Sequence, residues 1–241
     1  MNSSEAVAES LYPWKQRLRW LLEPGPYTLT RFMVLRLLGL VYLVAFLTAA
    51  FQLVPLVGEG GLTPMGPILD RLAEKAGGPW AAFIEHPTLF FFGHSDVSFI
   101  IVSWVGATIS LVVFLGYANG LMMVCLWFLY LSINQVGNVW YGFGWEIQLL
   151  ETGFLAIFLC PLLDGRPFSA RPPPKVVIWL FWWLIFRIML GAGLIKIRGD
   201  DCWRDLTCLI YHYETQPIPH PLSWLFHQAP AWFHKAGVLF N

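Results

Sequence analysis

Apolar and polar positions along this chain fall into long blocks rather than short periods. Five mostly apolar stretches, 33–54, 97–115, 121–136, 147–163 and 176–197, are separated by short polar or Pro/Gly-rich segments. A helix that crosses a bilayer needs about 20 such residues. The pattern therefore predicts an all-α, polytopic membrane helix bundle of about five transmembrane helices with an external, loop-rich C-terminal segment. The third stretch is short and ends in Asn134 and Gln135, so it reads either as a span or as a buried helix. The fifth opens after Arg171-Pro172-Pro173-Pro174-Lys175, a rigid turn that ends one helix and starts the next. Three regions follow: a cytoplasmic or interfacial segment 1–32, a bundle 33–197 and an external segment 198–241. Between the first two spans, residues 55–96 carry an amphipathic middle, 68–76, expected to fold over the outer mouth of the bundle.

Composition narrows the class. Of 241 residues, 57% are hydrophobic and 12% charged, against roughly 25% charged in soluble domains. Fifteen basic and fifteen acidic side chains cancel, so no basic footprint exists for nucleic acid. Thirteen Trp and seventeen Pro fit aromatic belts and interrupted helices. Membrane lipid is the implied solvent. The loops on the N-terminal side hold Lys15, Arg17, Arg19, Arg31, Arg166, Arg171 and Lys175, more than the opposite side. This places the N-terminus in the cytoplasm and the C-terminus in the periplasm or lumen, in a bacterial inner membrane or the endoplasmic reticulum.

Ionisable residues inside spans are costly, and they are paired or functional. Arg187 lies mid-way along the fifth span, Glu151 within the fourth and Glu146 nearer its outer end. Antiparallel neighbours could pair Glu151 with Arg187, either as a packing ion pair or as part of a polar cavity with Glu146. Arg36, about one turn into the first span, is expected to snorkel to the cytoplasmic interface. Lys196 ends the fifth span after Gly191-Ala192-Gly193. It reads as a snorkelling residue or, if desolvated, as a catalytic base.

Outside the membrane, Cys202 and Cys208 are placed to form a disulfide in an oxidising compartment. A metal set of those cysteines with His212 and either Asp205 or His220 matches no zinc spacing, so no metal or cofactor is expected. His94-Ser95-Asp96 is too contiguous for a triad, and no nucleophile elbow, phosphate loop or zinc-protease motif occurs. The run Tyr211-His212-Tyr213-Glu214-Thr215-Gln216-Pro217 gathers polar and aromatic groups just beyond the membrane exit. It reads as an interfacial loop or a partner-binding surface.

That run, with Trp203-Arg204-Asp205-Leu206-Thr207 before it and Pro221-Leu222-Ser223-Trp224 after it, resembles the lipase maturation factor family. The stretch 149–158 is similar to the family's fourth-span motif, and 38–46 with Gly60-Gly61-Leu62-Thr63-Pro64 to its first span and loop. The resemblance covers most of 31–241. It implies a membrane protein that assists folding or assembly of exported or membrane clients, a chaperone or assembly factor rather than an enzyme. The animal members reside in the endoplasmic reticulum and help dimeric lipases become active. Their chains run further than Asn241, so the external segment is expected to be truncated and a role as structural accessory subunit of a larger complex stands as the alternative. A second, narrower resemblance joins Ala192-Gly193-Leu194-Ile195-Lys196 to the vitamin K-dependent gamma-carboxylase membrane domain, implying an enzyme with Lys196 as base. No counterpart of that family's Asn-Asn-His run is present.

Overall fold

The computed structural model describes residues 27–169 and 171–240, and the chain there is helical, without strands. The expected interfacial segment 1–32 lies outside the described residues up to 26. The helices are α1 (Thr28–Val57), α2 (Met65–Ala76), α3 (Pro79–Glu85), α4 (Asp96–Phe114), α5 (Gly120–Val136) and α6 (Trp145–Leu159). They continue with α7 (Lys175–Gly199), α8 (Asp201–Arg204), α9 (Cys208–Thr215), α10 (Ser223–His227) and α11 (Ala231–Phe240).

Among the described residues α1, α4 and α7 are long and apolar enough to cross a membrane. α5 and α6, with 17 and 15 residues, are shorter than a full span. Each boundary has a local cause. α1 starts at Thr28, before the apolar stretch proper, and so takes Arg31 into the helix. Near its other end a π-helical turn, Ala49–Leu53, precedes Pro55. Proline has no N–H for the carbonyl four residues back, and a wider turn absorbs the mismatch. Ser95 caps α4 by accepting from the Ser98 N–H at 3.2 Å, and Asn119 caps α5 by accepting from Met122 at 2.8 Å. α2 ends at Gly77, whose φ of +85° suits glycine.

The chain divides into two units, one ending at Phe181 and one beginning at Trp182, a boundary within α7. In the first, α1 packs most extensively on α4, and α5 lies between α4 and α6. Two glycines set the α1–α4 approach. A Cβ on Gly39 would sit 2.7 Å from the Phe114 backbone nitrogen, and one on Gly106 would stand 2.3 Å from the Phe46 ring. A third, on Gly153 of α6, would overlap the Tyr42 hydroxyl. At the centre Tyr42, Phe46 and Tyr130 are fully buried, with Tyr130 meeting each of the other two edge-on at 5.7 Å.

The 58–95 segment is folded onto one end of this bundle. The Trp140 indole donates to the Thr63 hydroxyl at 2.9 Å, the Thr88 hydroxyl donates to the Ser132 carbonyl at 3.1 Å, and Asp96 accepts from the Glu59 N–H at 2.8 Å. α2 shares a small cavity of about 140 Å³ with Gln135, Val136 and Asn138 at the end of α5.

The buried tyrosines differ in what their hydroxyls do. Tyr42 donates to the Leu149 carbonyl at 3.3 Å, whereas the Tyr130 hydroxyl has no hydrogen-bond partner among the described residues. Tyr42→Phe is therefore expected to cost about 1 kcal/mol and Tyr130→Phe nothing or less. Thermal midpoints in mild detergent report the difference, and the reverse order would contradict this assignment.

Candidate functional site

The second unit carries the residues beyond the membrane exit. Asp200 starts them: its carboxylate accepts from the Cys202 N–H at 2.9 Å and caps α8. Arg204 folds back, donating from Nε to the Ile197 carbonyl at 2.9 Å and pairing with Asp201 at 3.2 Å. Cys202 and Cys208 are joined in a disulfide, with 4.8 Å between their Cα atoms. It closes a turn in which Leu206 holds a left-handed φ of +58° and the Thr207 N–H donates to the Cys202 carbonyl at 2.9 Å. The Lys196 ammonium stands 5.0 Å from the Trp203 ring centroid, a cation–π contact.

The aromatic run is helical rather than looped, and the helix sorts its residues into two sets. Leu209 and Tyr213, four apart, share one face of α9. Leu209 forms a small core with Cys208 and Val238, and Tyr213 packs against it with Cys202, Trp203 and Leu206. Gly237 lets α11 approach; a Cβ there would lie 2.6 Å from a Leu209 methyl. The Tyr213 ring stacks on Phe226 at 5.8 Å and also meets His234 at 5.8 Å. His234 is buried, and its Nε2 lies 3.0 Å from the Ala229 carbonyl, an arrangement that requires Nε2 to carry the proton. Gln216 ends the helix with its amide nitrogen donating to the Ser223 hydroxyl, which ties α9 to α10. Tyr213 and Gln216 are thus scaffold.

Tyr211, His212, Glu214, Thr215 and Pro217 point outward and are exposed. Beside them Tyr213, Glu214, Pro219, His220, Ser223 and Trp224 line an open groove of about 470 Å³. Trp224, 74% exposed, forms its apolar wall. Trp203 and Asp205 lie within the disulfide-closed turn and do not line the groove. The roles of Phe226, Phe233 and His234 escaped the sequence reading. The spacing of Leu209 and Tyr213 was the available signal that the run is a two-faced helix. Among the described residues no group of three or more His, Cys, Asp or Glu is placed to hold a metal ion, and the sulfurs of Cys202 and Cys208 are bonded to each other.

The intramembrane polar residues are distributed between the units. Glu151 lies on α6 in the first unit and Arg187 on α7 in the second, so each is described in its own surroundings. Glu146, in the first turn of α6, is 1% exposed, and one of its carboxyl oxygens has no hydrogen-bond partner among the described residues. It sits near Tyr130 and Tyr141. Burial, with Glu146 beside it, pushes the Tyr141 phenol above its ordinary range.

Comparison with known proteins places these features in context. The family model described as the lipase maturation factor transmembrane domain matches residues 29–241. Lipase maturation factor 1 of Bos taurus is 49% identical over 228 residues, which cover 91% of this chain and 40% of that protein. The Homo sapiens protein of the same name is 48% identical over 229 residues, covering 91% and 40%. Lipase maturation factor 2 of Xenopus tropicalis is 36% identical over 209 residues, covering 83% and 29%. The chain therefore spans 40% or less of the length of these relatives. No solved structure matches it.

Proposed function

Because this chain belongs to the lipase maturation factor family, we propose that it is an integral membrane protein that assists folding or assembly of exported or membrane client proteins. The client class implied by the family name is a lipase. The observation that carries the reading is the sorting of the α9 run. Its inward residues build a disulfide-closed scaffold, and its outward residues Tyr211, His212, Glu214 and Thr215 lie exposed beside a groove lined by Tyr213, Glu214, His220 and Trp224. An exposed aromatic flanked by hydrogen-bonding groups, desolvated when a partner covers it, is the usual make-up of an interaction hot spot. We place the N-terminus in the cytoplasm and the external unit in the lumen or periplasm. The basic residues of the N-terminal side and the oxidised cysteine pair both support that orientation.

Lys196 as a catalytic base has less support. Its ammonium stands over the Trp203 ring, a contact that a snorkelling residue at a span end makes equally well.

The test replaces the matching region of bovine lipase maturation factor 1 with this chain, in cells lacking their own factor, and measures secreted activity of a dimeric lipase. Substituting Tyr211→Ala with Trp224→Ala is expected to lower that activity about tenfold at unchanged membrane level, as for loss of a hot-spot pair. Equal activity from the two versions would show that the outward face is not the client surface.

A further inference from the structure

Three guanidinium groups converge at the end of the first unit where α1 begins and α4 ends. Arg31, 3% exposed, donates from one terminal nitrogen to the Ser169 carbonyl at 3.1 Å and from the other to the Arg171 carbonyl. Arg36 donates from Nε to the Phe114 carbonyl at 3.0 Å. Its guanidinium carbon lies 5.2 Å from the Phe32 ring centroid and 5.8 Å from that of Phe114. Two rings and one carbonyl thus fix its plane, while no hydrogen bond from its terminal nitrogens is formed among the described residues. Arg36 is anchored in the bundle end rather than extended freely toward water.

Arg166 comes from the turn after α6 and pairs with Asp164 at 3.0 Å. Hydrogen bonds from Arg166 and then Ser169 hold the Asp164 carboxyl well below the usual carboxylate range. Asp164 thus pairs with Arg166, and the charged side chains that line the cavity among the described residues are arginines. All three arginines line one small cavity, closed on other sides by Val113, Gly116 and Pro167. Its innermost space, about 10 Å³, holds one oxygen-sized atom. Gly116 has φ of +110°, and a Cβ there would stand 3.2 Å from the Phe32 ring, so glycine also keeps this wall open.

The depth of the cavity decides what enters it. Arg31 is in the first turn of one membrane-length helix and Phe114 is the last residue of another. The mouth is therefore at the level of lipid headgroups. Arginine forks match phosphate oxygens bidentately, and basic pockets between spans are a recurrent way of holding anionic headgroups. We propose that this cavity binds the phosphate of an anionic phospholipid, with one phosphoryl oxygen seated among Arg31, Arg36 and Arg166. The lipid source is favoured over free phosphate because the cavity lies where one membrane-length helix begins and another ends. The assignment holds for whichever leaflet this end occupies.

The full chain is exchanged into phosphatidylcholine nanodiscs doped with phosphatidylglycerol, released gently, and weighed by native mass spectrometry. The wild type is expected to keep one phosphatidylglycerol, enriched about tenfold over its bulk fraction, equivalent to a tenfold tighter site. The Arg36→Gln, Arg166→Gln double variant is expected to lose the enrichment. Arg31 is left in place because its two carbonyl partners are internal to the fold. An unchanged melting midpoint of the double variant in pure phosphatidylcholine separates lost binding from lost folding, and Arg36→Lys is expected to restore part of the enrichment. Retention in the bulk ratio, or equal enrichment in the double variant, overturns the proposal. Displacement of the lipid by millimolar inorganic phosphate would assign the cavity to free phosphate and overturn the lipid assignment.

Discussion

Gly106→Leu is expected to leave no folded bundle in mild detergent. A Cβ at this position would already stand 2.3 Å from an atom of the Phe46 ring, before the rest of the leucine is counted. The ring cannot step aside. It is fully buried, and Tyr42 packs against one side and the Tyr130 edge against another. Nor can α4 move outward alone, because seven residues along α1 Gly39 lies against the Phe114 backbone. One extra methyl in a packed core costs about 1–3 kcal/mol, so Gly106→Ala should survive with a lowered midpoint. Leucine adds three more carbons to the same overlap and exceeds the stability of a typical domain, about 5–15 kcal/mol. Size-exclusion chromatography and thermal melts of the two variants give the readout. A monodisperse Gly106→Leu protein with a near-normal midpoint would show that the α1–α4 contact is not built this way.

Replacing both Cys202 and Cys208 with serine is expected to open the second unit while leaving the bundle of the first intact. The bridge closes a short loop, and its removal from the folded state costs about 2 kcal/mol. The turn it closes holds Leu206 in the left-handed region, where a non-glycine residue costs about 1–2 kcal/mol. Without the bridge, Leu206 is held in that turn by backbone bonds such as Thr207–Cys202 and Asp205–Asp201. The small core of Cys208, Leu209 and Val238 depends on the same turn to bring α8 onto α9. Cleavage by a protease between 200 and 220 should accelerate about thirtyfold, the ratio that corresponds to 2 kcal/mol when opening is fast. A reductant acting on the wild type should give the same rate. Unchanged cleavage would mean that ring packing around Tyr213 carries the unit without the bridge.

Much of the architecture was legible in the order of apolar blocks. A stretch such as 176–197 has no alternative in water, because its backbone groups and side chains are satisfied together only as a helix in lipid. The ends were legible where chemistry is local, as at Asn119, Ser95 and the triple proline before α7. The external segment was not, because its helices are short and their stability comes from the disulfide and from rings far apart in sequence, such as Phe226 on Tyr213. The motif itself was visible as a string, but a string cannot say that Tyr213 and Gln216 face inward while Tyr211, His212 and Glu214 face out. The arginine cavity was still less accessible. Arg31 and Arg36 are 130 or more positions from Arg166 and lay on the same side of the membrane in the charge pattern only as separate flanking charges.

Composition and blocks of hydropathy by themselves determined that this is a helical membrane protein, since burial of backbone in lipid follows from apolar length alone. They also fixed which residues are candidates, because charge in a span and cysteines outside it stand out against a background of 12% charged residues. The tertiary structure decided which of these act together. It did so through close approaches at Gly39, Gly106 and Gly153, through the bridge at Cys202, and through carbonyls that orient Arg31 and Arg36. Those contacts join residues from distant parts of the chain, and their distances are set by packing, which no local pattern encodes.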